Sequence, residues 1–510
     1  MKKASILLVL ILLSALFAPC GLAAVQKCGD AITWNYNSST HTLTLTGYGP
    51  MYDYTSGKSP WYSKRESIYT IVVNSGITSV GDYAFERIRG SVSLPDTIET
   101  IGSHAFYNNY SLTQINLSDR LTQIGDSAFD SCHILGSVNL PEGVVSIGYS
   151  AFCNCMGLQF LTLPETLTQI PDYAFFGCHS LQTFELPRTL TSIGNRAFGE
   201  CNNIGQLVIP ASTTSIGNCA LSYSCALTDI QVDPGNTCYR SEDGVLFDIT
   251  GSTLISYPGG KADVEYVVPA SVTSIDAYAF SGACHLEHIT LPSGLSSIGA
   301  YAFAGSYTDL YDFKRSVLSH VDIPDSVTEI GPYAFRYCQA LTELVIPEGI
   351  TTIHGQTFEY SGLRCLSVPR SVTSIEANAF QHCPNGLTIR LIAGSFIEGF
   401  AKENGFQVEY VFPVAEADMV LPGDLTAIDD EAFMGTDAAV VSIPAGVTEI
   451  GSRAFADCPN LKHINLPEGA VIAGDAFDGC GAVYLYGVSG GPAEAYAAGH
   501  DNVIFVPLTP

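Results

Sequence analysis

Apolar residues return along this chain in a unit of about 23 positions. Between Leu181 and Cys201 they fall at Leu181, Phe184, Leu186, Leu190, Ile193, Ala197 and Phe198, with polar residues, Gly and Pro between them. Leu181, Phe184 and Leu186 are spaced for a short strand that buries alternate side chains. Pro187 ends that strand because it has no amide to donate. Leu190 and Ile193 bring a second extended segment back to the core. The residue after Ile193 is Gly194, but Pro171, Asp276, His354, Glu376 or Asp429 stands there in other copies, so the position does not demand a positive φ. Proline and acidic residues are accepted at a helix start, and a short helix carrying Ala197 and Phe198 is expected.

The phenylalanine of that unit dates every copy. It recurs at Phe85, Phe106, Phe129, Phe152, Phe175 and Phe198, continues as Leu221, resumes at Phe280, Phe303, Phe335, Phe358 and Phe380, and returns at Phe433, Phe455 and Phe477. A period of this length marks a leucine-rich-repeat type solenoid. One coil cannot bury its own apolar edge, so neighbours must stack on it. The expected fold is a repeat solenoid with short strands and a short helix in each coil, a small N-terminal β cap and two cap-terminated repeat blocks.

Interruptions of the period set the boundaries. Lys2 and Lys3 before the apolar run from Ile6 to Ala18 predict a signal peptide over residues 1–23. Residues 24–66 form the β cap, where Tyr48, Met51, Tyr52, Tyr54 and Trp61 cluster. The first block spans 67–386, with a protruding hairpin insert over about 231–266 and a loop insert over about 305–320. A cap over 387–414, a second block over 415–482 and a cap over 483–510 complete the chain.

Composition narrows the chemistry. Lys and Arg total 22 against 50 Asp and Glu, a formal charge of −28, which excludes a phosphate-binding groove for nucleic acid. No second apolar segment is long enough to span a bilayer, so the mature chain is expected to lack a membrane span. Sixteen cysteines in an exported chain would ordinarily imply a disulfide framework. However, Cys132, Cys155, Cys178, Cys201, Cys338, Cys383, Cys458 and Cys480 each stand three residues after the repeat phenylalanine, which predicts a ladder of small buried thiols. No cysteine or histidine set has zinc spacing, and no titratable residues converge as catalysis requires. Neither a metal, a cofactor nor an enzyme activity is expected.

Binding is the remaining class. Side chains flanking the buried centre of each first strand point outward and form two columns, which include Ser137/Asn139, Gln206/Val208, Glu343/Val345 and His463/Asn465. Phe160, Glu185, Gln206, His288, His320 and Glu343 stand out as candidate ligand contacts. Tyr307, Tyr311 and Phe313 join them from the loop insert, which is aromatic and, with Lys314 and Arg315, locally basic.

The unit I-x-I-P…V-T-S-I-G-x-x-A-F-x-x-C, repeated over residues 67–482, resembles the BspA-like leucine-rich-repeat proteins found mostly on bacterial surfaces. The resemblance implies a secreted or cell-surface protein, an adhesin or interaction module that recognises a host or microbial extracellular protein through its strand face. The alternative is a glycan-binding or passive wall-associated scaffold, with the aromatic residues of the N-terminal cap stacking on sugar.

Overall fold

The computed structural model describes residues 26–182, 184–305 and 316–509. The signal-peptide reading and Tyr307, Tyr311 and Phe313 lie outside the described residues. The chain forms two compact units, one up to Gly244 and one from Val245 onward.

The first unit starts with an antiparallel hairpin, Ala31–Asn37 against Thr42–Pro50. The second hairpin strand then templates two parallel sheets, pairing with Thr70–Val73 through its first half and with Ile77–Val80 through its end. Later coils repeat that pair of short strands in register. Ser137–Asn139 pairs with Phe160–Thr162 in the first sheet, and Gln123–Ile124 with Ser146–Ile147 in the second. Val138 and Leu161 are buried between exposed neighbours, so one face of the first sheet looks to solvent.

The third side of each coil corrects the expected helix. Around Phe129 the backbone makes stacked tight turns. Ser127, Phe129 and Ser131 donate their amides to Tyr149, Ala151 and Cys153 of the next coil, all at 2.8 Å. Ala128, Asp130 and Cys132 donate within the turn, to Gly125, Ser127 and Phe129. Ser127 and Ser131 have φ of 51° and 62°, and a left-handed residue at every fourth position breaks a right-handed helix. Alternate amides are thereby freed to join coils. Among the described residues the α-helices are α1 (Phe396–Glu403) and α2 (Pro492–Ala497).

Inside this turn edge the phenylalanines stack. Ring centroids of Phe106, Phe129, Phe152, Phe175 and Phe198 follow one another at 5.1, 5.1, 5.4 and 5.5 Å. Trp61 begins the column, lying 5.7 Å from Phe85 and donating Nε1–H to the Ala84 carbonyl. The ladder cysteines carry free thiols and do more than fill space. Cys132, Cys155, Cys178 and Cys201 each donate Sγ–H to the phenylalanine carbonyl of the preceding coil, at 3.2–3.3 Å. Ser224 takes that role in the Leu221 coil. The repeat glycine has a different purpose again: a Cβ on Gly148 would lie 2.4 Å from the Asp126 amide nitrogen of the preceding coil. In this coil close approach, rather than a positive φ, favours glycine, whereas the coils with Pro171, Asp276 or Asp429 accommodate a Cβ at the same position.

The second unit opens in the same way. Val245–Asp248 pairs antiparallel with Thr253–Ser256, which then pairs parallel with Ser274–Ile275. The hairpin expected to protrude is therefore built into the sheet, because the apolar run Val245, Leu246 and Phe247 is fully buried. Tyr257 takes the first place in the aromatic column, 5.2 Å from Phe280.

At the far end of this unit one parallel sheet runs through both sets of terminal strands. Its order is Glu343–Val345, Cys365–Ser367, Thr388–Leu391, Gln407–Tyr410, Val503–Leu508, Val483–Val488, His463–Asn465, Val440–Ser442 and Met419–Val420. The strand after α1 thus meets the strand after α2 cap to cap, through Tyr410 and Leu508. The coils on either side keep separate cores, one around Ile389 and Leu391 and one around Leu485 and Val503. A small third cluster, with Ala393, Phe412, Tyr486 and Val506, fills the junction.

Candidate functional site

The outward positions of each unit carry the described candidate residues. In-register parallel pairing aligns like positions of successive coils into columns. In the first unit Phe160 is 58% exposed and adjoins Ser137. Glu185 and Gln206 line one groove of about 580 Å³ together with Arg188, Val208 and Asp233. Phe160 is not among the residues that line it. Asp229, in register with Gln206, extends the column.

In the second unit Glu265, His288 and His320 are in register on adjacent strands. The extra residues before His320 do not disturb this alignment. The two imidazole rings lie 6.1 Å apart, and His320 Nε2 is 3.2 Å from Asp322 Oδ2. Among the described residues no set of three or more His, Cys, Asp or Glu side chains is placed to hold a metal ion. Glu343 aligns with Cys365, Thr388 and Gln407. In the neighbouring column Val345 aligns with Ser367, Arg390 and Glu409, and Arg390 Nε bonds Glu409 Oε2 at 3.0 Å. Burial pushes the Cys365 thiol up, opposed by Arg390.

Two features differ from the sequence reading. His463 is not an outward residue: it is 5% exposed, because its column continues under the cap junction. Its Nδ1 meets Tyr486 Oη at 3.0 Å, its ring stacks on Tyr484 at 5.2 Å, and the Tyr486 hydroxyl accepts the Ala393 amide. Burial first, then the positive charges of Arg370 and Lys462, push this imidazole down to about 4. The second is an apolar component of the wall that the candidate contacts left out. Val208, Val267 and Val345 are 49%, 69% and 64% exposed. Val208 and Val345 were readable from the columns, whereas Val267 follows the hairpin insert, where the repeat frame is hard to place.

Comparison with known proteins fits this geometry. The model of the BspA type leucine rich repeat region matches residues 58–181, 122–243, 263–386 and 416–485. A leucine rich cell surface protein from Faecalibacterium prausnitzii is 28% identical, covers 73% of this chain and 96% of its own, and superposes with a TM-score of 0.55. A leucine-rich repeat protein from Eubacterium ventriosum is 26% identical over 84% of this chain and 93% of its own, with a TM-score of 0.44. The pneumococcal vaccine antigen PcpA, at 21% identity, covers 76% of this chain and 98% of its own, with a TM-score of 0.48. No curated protein matches significantly. Among the described residues no helix is long and apolar enough to cross a membrane. With its stacked two-strand coils, its phenylalanine column and a matching repeat model over most of its length, the chain belongs to the BspA type leucine-rich-repeat family.

Proposed function

We propose that this protein acts at the cell surface or as a secreted protein, binding a host or microbial extracellular protein through its outward strand wall. The observation that carries this reading is the set of exposed apolar side chains among outward polar positions, Phe160 and Val208 in the first unit and Val267 and Val345 in the second. Such residues lose hydration favourably when a partner covers them, and the polar columns beside them supply hydrogen bonds and charge for register. Glu185, Gln206, His288, His320 and Glu343 are assigned the latter role. The likeness to a bacterial cell surface protein over 96% of that protein's length supports the setting.

The test is capture of extracellular proteins by the whole chain at physiological salt, followed by titration of the captured partner against variants. Phe160→Asp with Val208→Asp, or Val345→Asp, is expected to weaken binding at least about tenfold without changing the melting temperature. A glycan reading rests on the exposed Tyr48 ring of the N-terminal cap. Glycan-array binding that is lost on Tyr48→Ala, beside unchanged behaviour of the wall variants, would replace the protein-binding reading.

A further inference from the structure

At the cap junction of the second unit, residues far apart in sequence close a cleft of about 390 Å³. Arg370, Lys462 and His463 line it together with Ser395, Phe396 and Tyr484. In a chain of net charge −28, two cations and an imidazole line one cavity. Their convergence is physical: Arg370 and Lys462 are the charges that act on the His463 ring. Glu416 takes part of the Arg370 guanidinium, Nη1 to Oε2 at 2.6 Å, but a guanidinium has five donors. Glu398 spends its carboxylate on the Gly394 amide, Lys402 and the Tyr410 hydroxyl.

Donors and a platform remain. Ser395 Oγ is shielded from solvent and has no hydrogen-bond partner among the described residues, although it precedes α1, where serine ordinarily caps. His463 uses Nδ1 on Tyr486, which leaves Nε2 for the cleft. Phe396 is exposed, and the Tyr484 ring lies against that of His463. Gly394 keeps the mouth open, because a Cβ there would lie 2.5 Å from the Tyr484 hydroxyl.

We propose that this cleft binds a phosphorylated sugar, with Arg370 and Lys462 holding the phosphate and the sugar ring lying on Tyr484 and Phe396. Arginine and lysine with a hydroxyl donor suit a phosphate, and an aromatic face beside them suits the carbon skeleton of a sugar. The site is separate from the outward wall, so neither reading depends on the other.

Isothermal titration calorimetry of the whole chain with glucose 6-phosphate, inorganic phosphate and glucose tests the assignment. Glucose 6-phosphate should bind at least about tenfold more tightly than either fragment, because both halves of the cleft contribute. Lys462→Gln, at an exposed position, should weaken it about tenfold. Arg370→Gln should do the same if its melting temperature is retained, while Lys402→Gln, outside the cleft, should leave binding unchanged. No heat with glucose 6-phosphate, or equal binding by Lys462→Gln, overturns the proposal. Equal affinity for inorganic phosphate overturns the sugar half of it.

Discussion

Each residue of the repeat answers to one neighbour in the next coil, and that sets what a substitution costs. Phe152 stacks between Phe129 and Phe175 and is fully buried. Phe152→Ala should therefore destabilise by about 3–5 kcal/mol, seen as urea unfolding of the first unit at lower concentration. Cys178 is a sharper case. Its thiol donates to the Phe152 carbonyl, and Ser224 shows that a hydroxyl serves in the same place. Cys178→Ser should be milder than Cys178→Val, despite valine's greater apolarity, because valine removes one of the two donors to the Phe152 carbonyl and leaves only the Cys155 amide, at about 0.5–1.5 kcal/mol. Thermal melts of the two variants check the order. The same burial pushes Cys132 and Cys338 up to about 12. Their thiolates are scarce at neutral pH, so a thiol reagent followed by mass spectrometry should label them only as the chain unfolds.

At the scale of the coil, spacing is decided by backbone contact rather than by side chains. Where glycine follows the second strand, as at Gly125, Gly148 and Gly194, the neighbouring turn passes through the space a Cβ would fill. Gly148→Ala should cost about 1–3 kcal/mol or more, since the obstacle is backbone and cannot swing away. Hydrogen exchange at Tyr149, whose amide bonds Asp126 Oδ1, should rise with it. The expected helix failed at this scale. The spacing of Ala197 and Phe198 is compatible with either a helical turn or a stacked tight turn. The choice depends on left-handed φ values at Arg196 and Glu200, residues whose identities do not announce them. Inter-coil bonds such as Phe198 N to the Ala220 carbonyl compensate for that strain.

For the molecule as a whole, the cap junction carries a buried histidine with a pH response. His463 titrates near 6.5 when unfolded and at about 4 when buried among Arg370, Lys462, Tyr484 and Tyr486. The unfolded chain therefore binds the proton more readily. Stability is complete above about pH 6.5 and falls by up to about 3 kcal/mol as pH drops towards 4. Melting curves between those values should show the loss, and His463→Gln should flatten it. The outward wall, by contrast, contains exposed charges whose effects salt screens.

The repeat period, the aromatic column, the cysteine ladder and the alternation of buried and outward positions were all legible in the chain, because each is a local pattern that stacking repeats. Phe160, Glu185, Gln206 and Glu343 could be placed on the surface for the same reason. Tertiary structure alone decided the turn conformation, the absorption of the 245–256 hairpin into the sheet and the alignment of His288 with His320 across an irregular interval. It also decided the fate of His463. Nothing near residue 463 indicates that the strand after α1 will meet the strand after α2, and that meeting turns an outward column into a buried one. Periodicity governs contacts between successive coils, whereas the cap junction joins residues about 90 positions apart, such as Ala393 and Tyr486, and no local pattern encodes such a pairing.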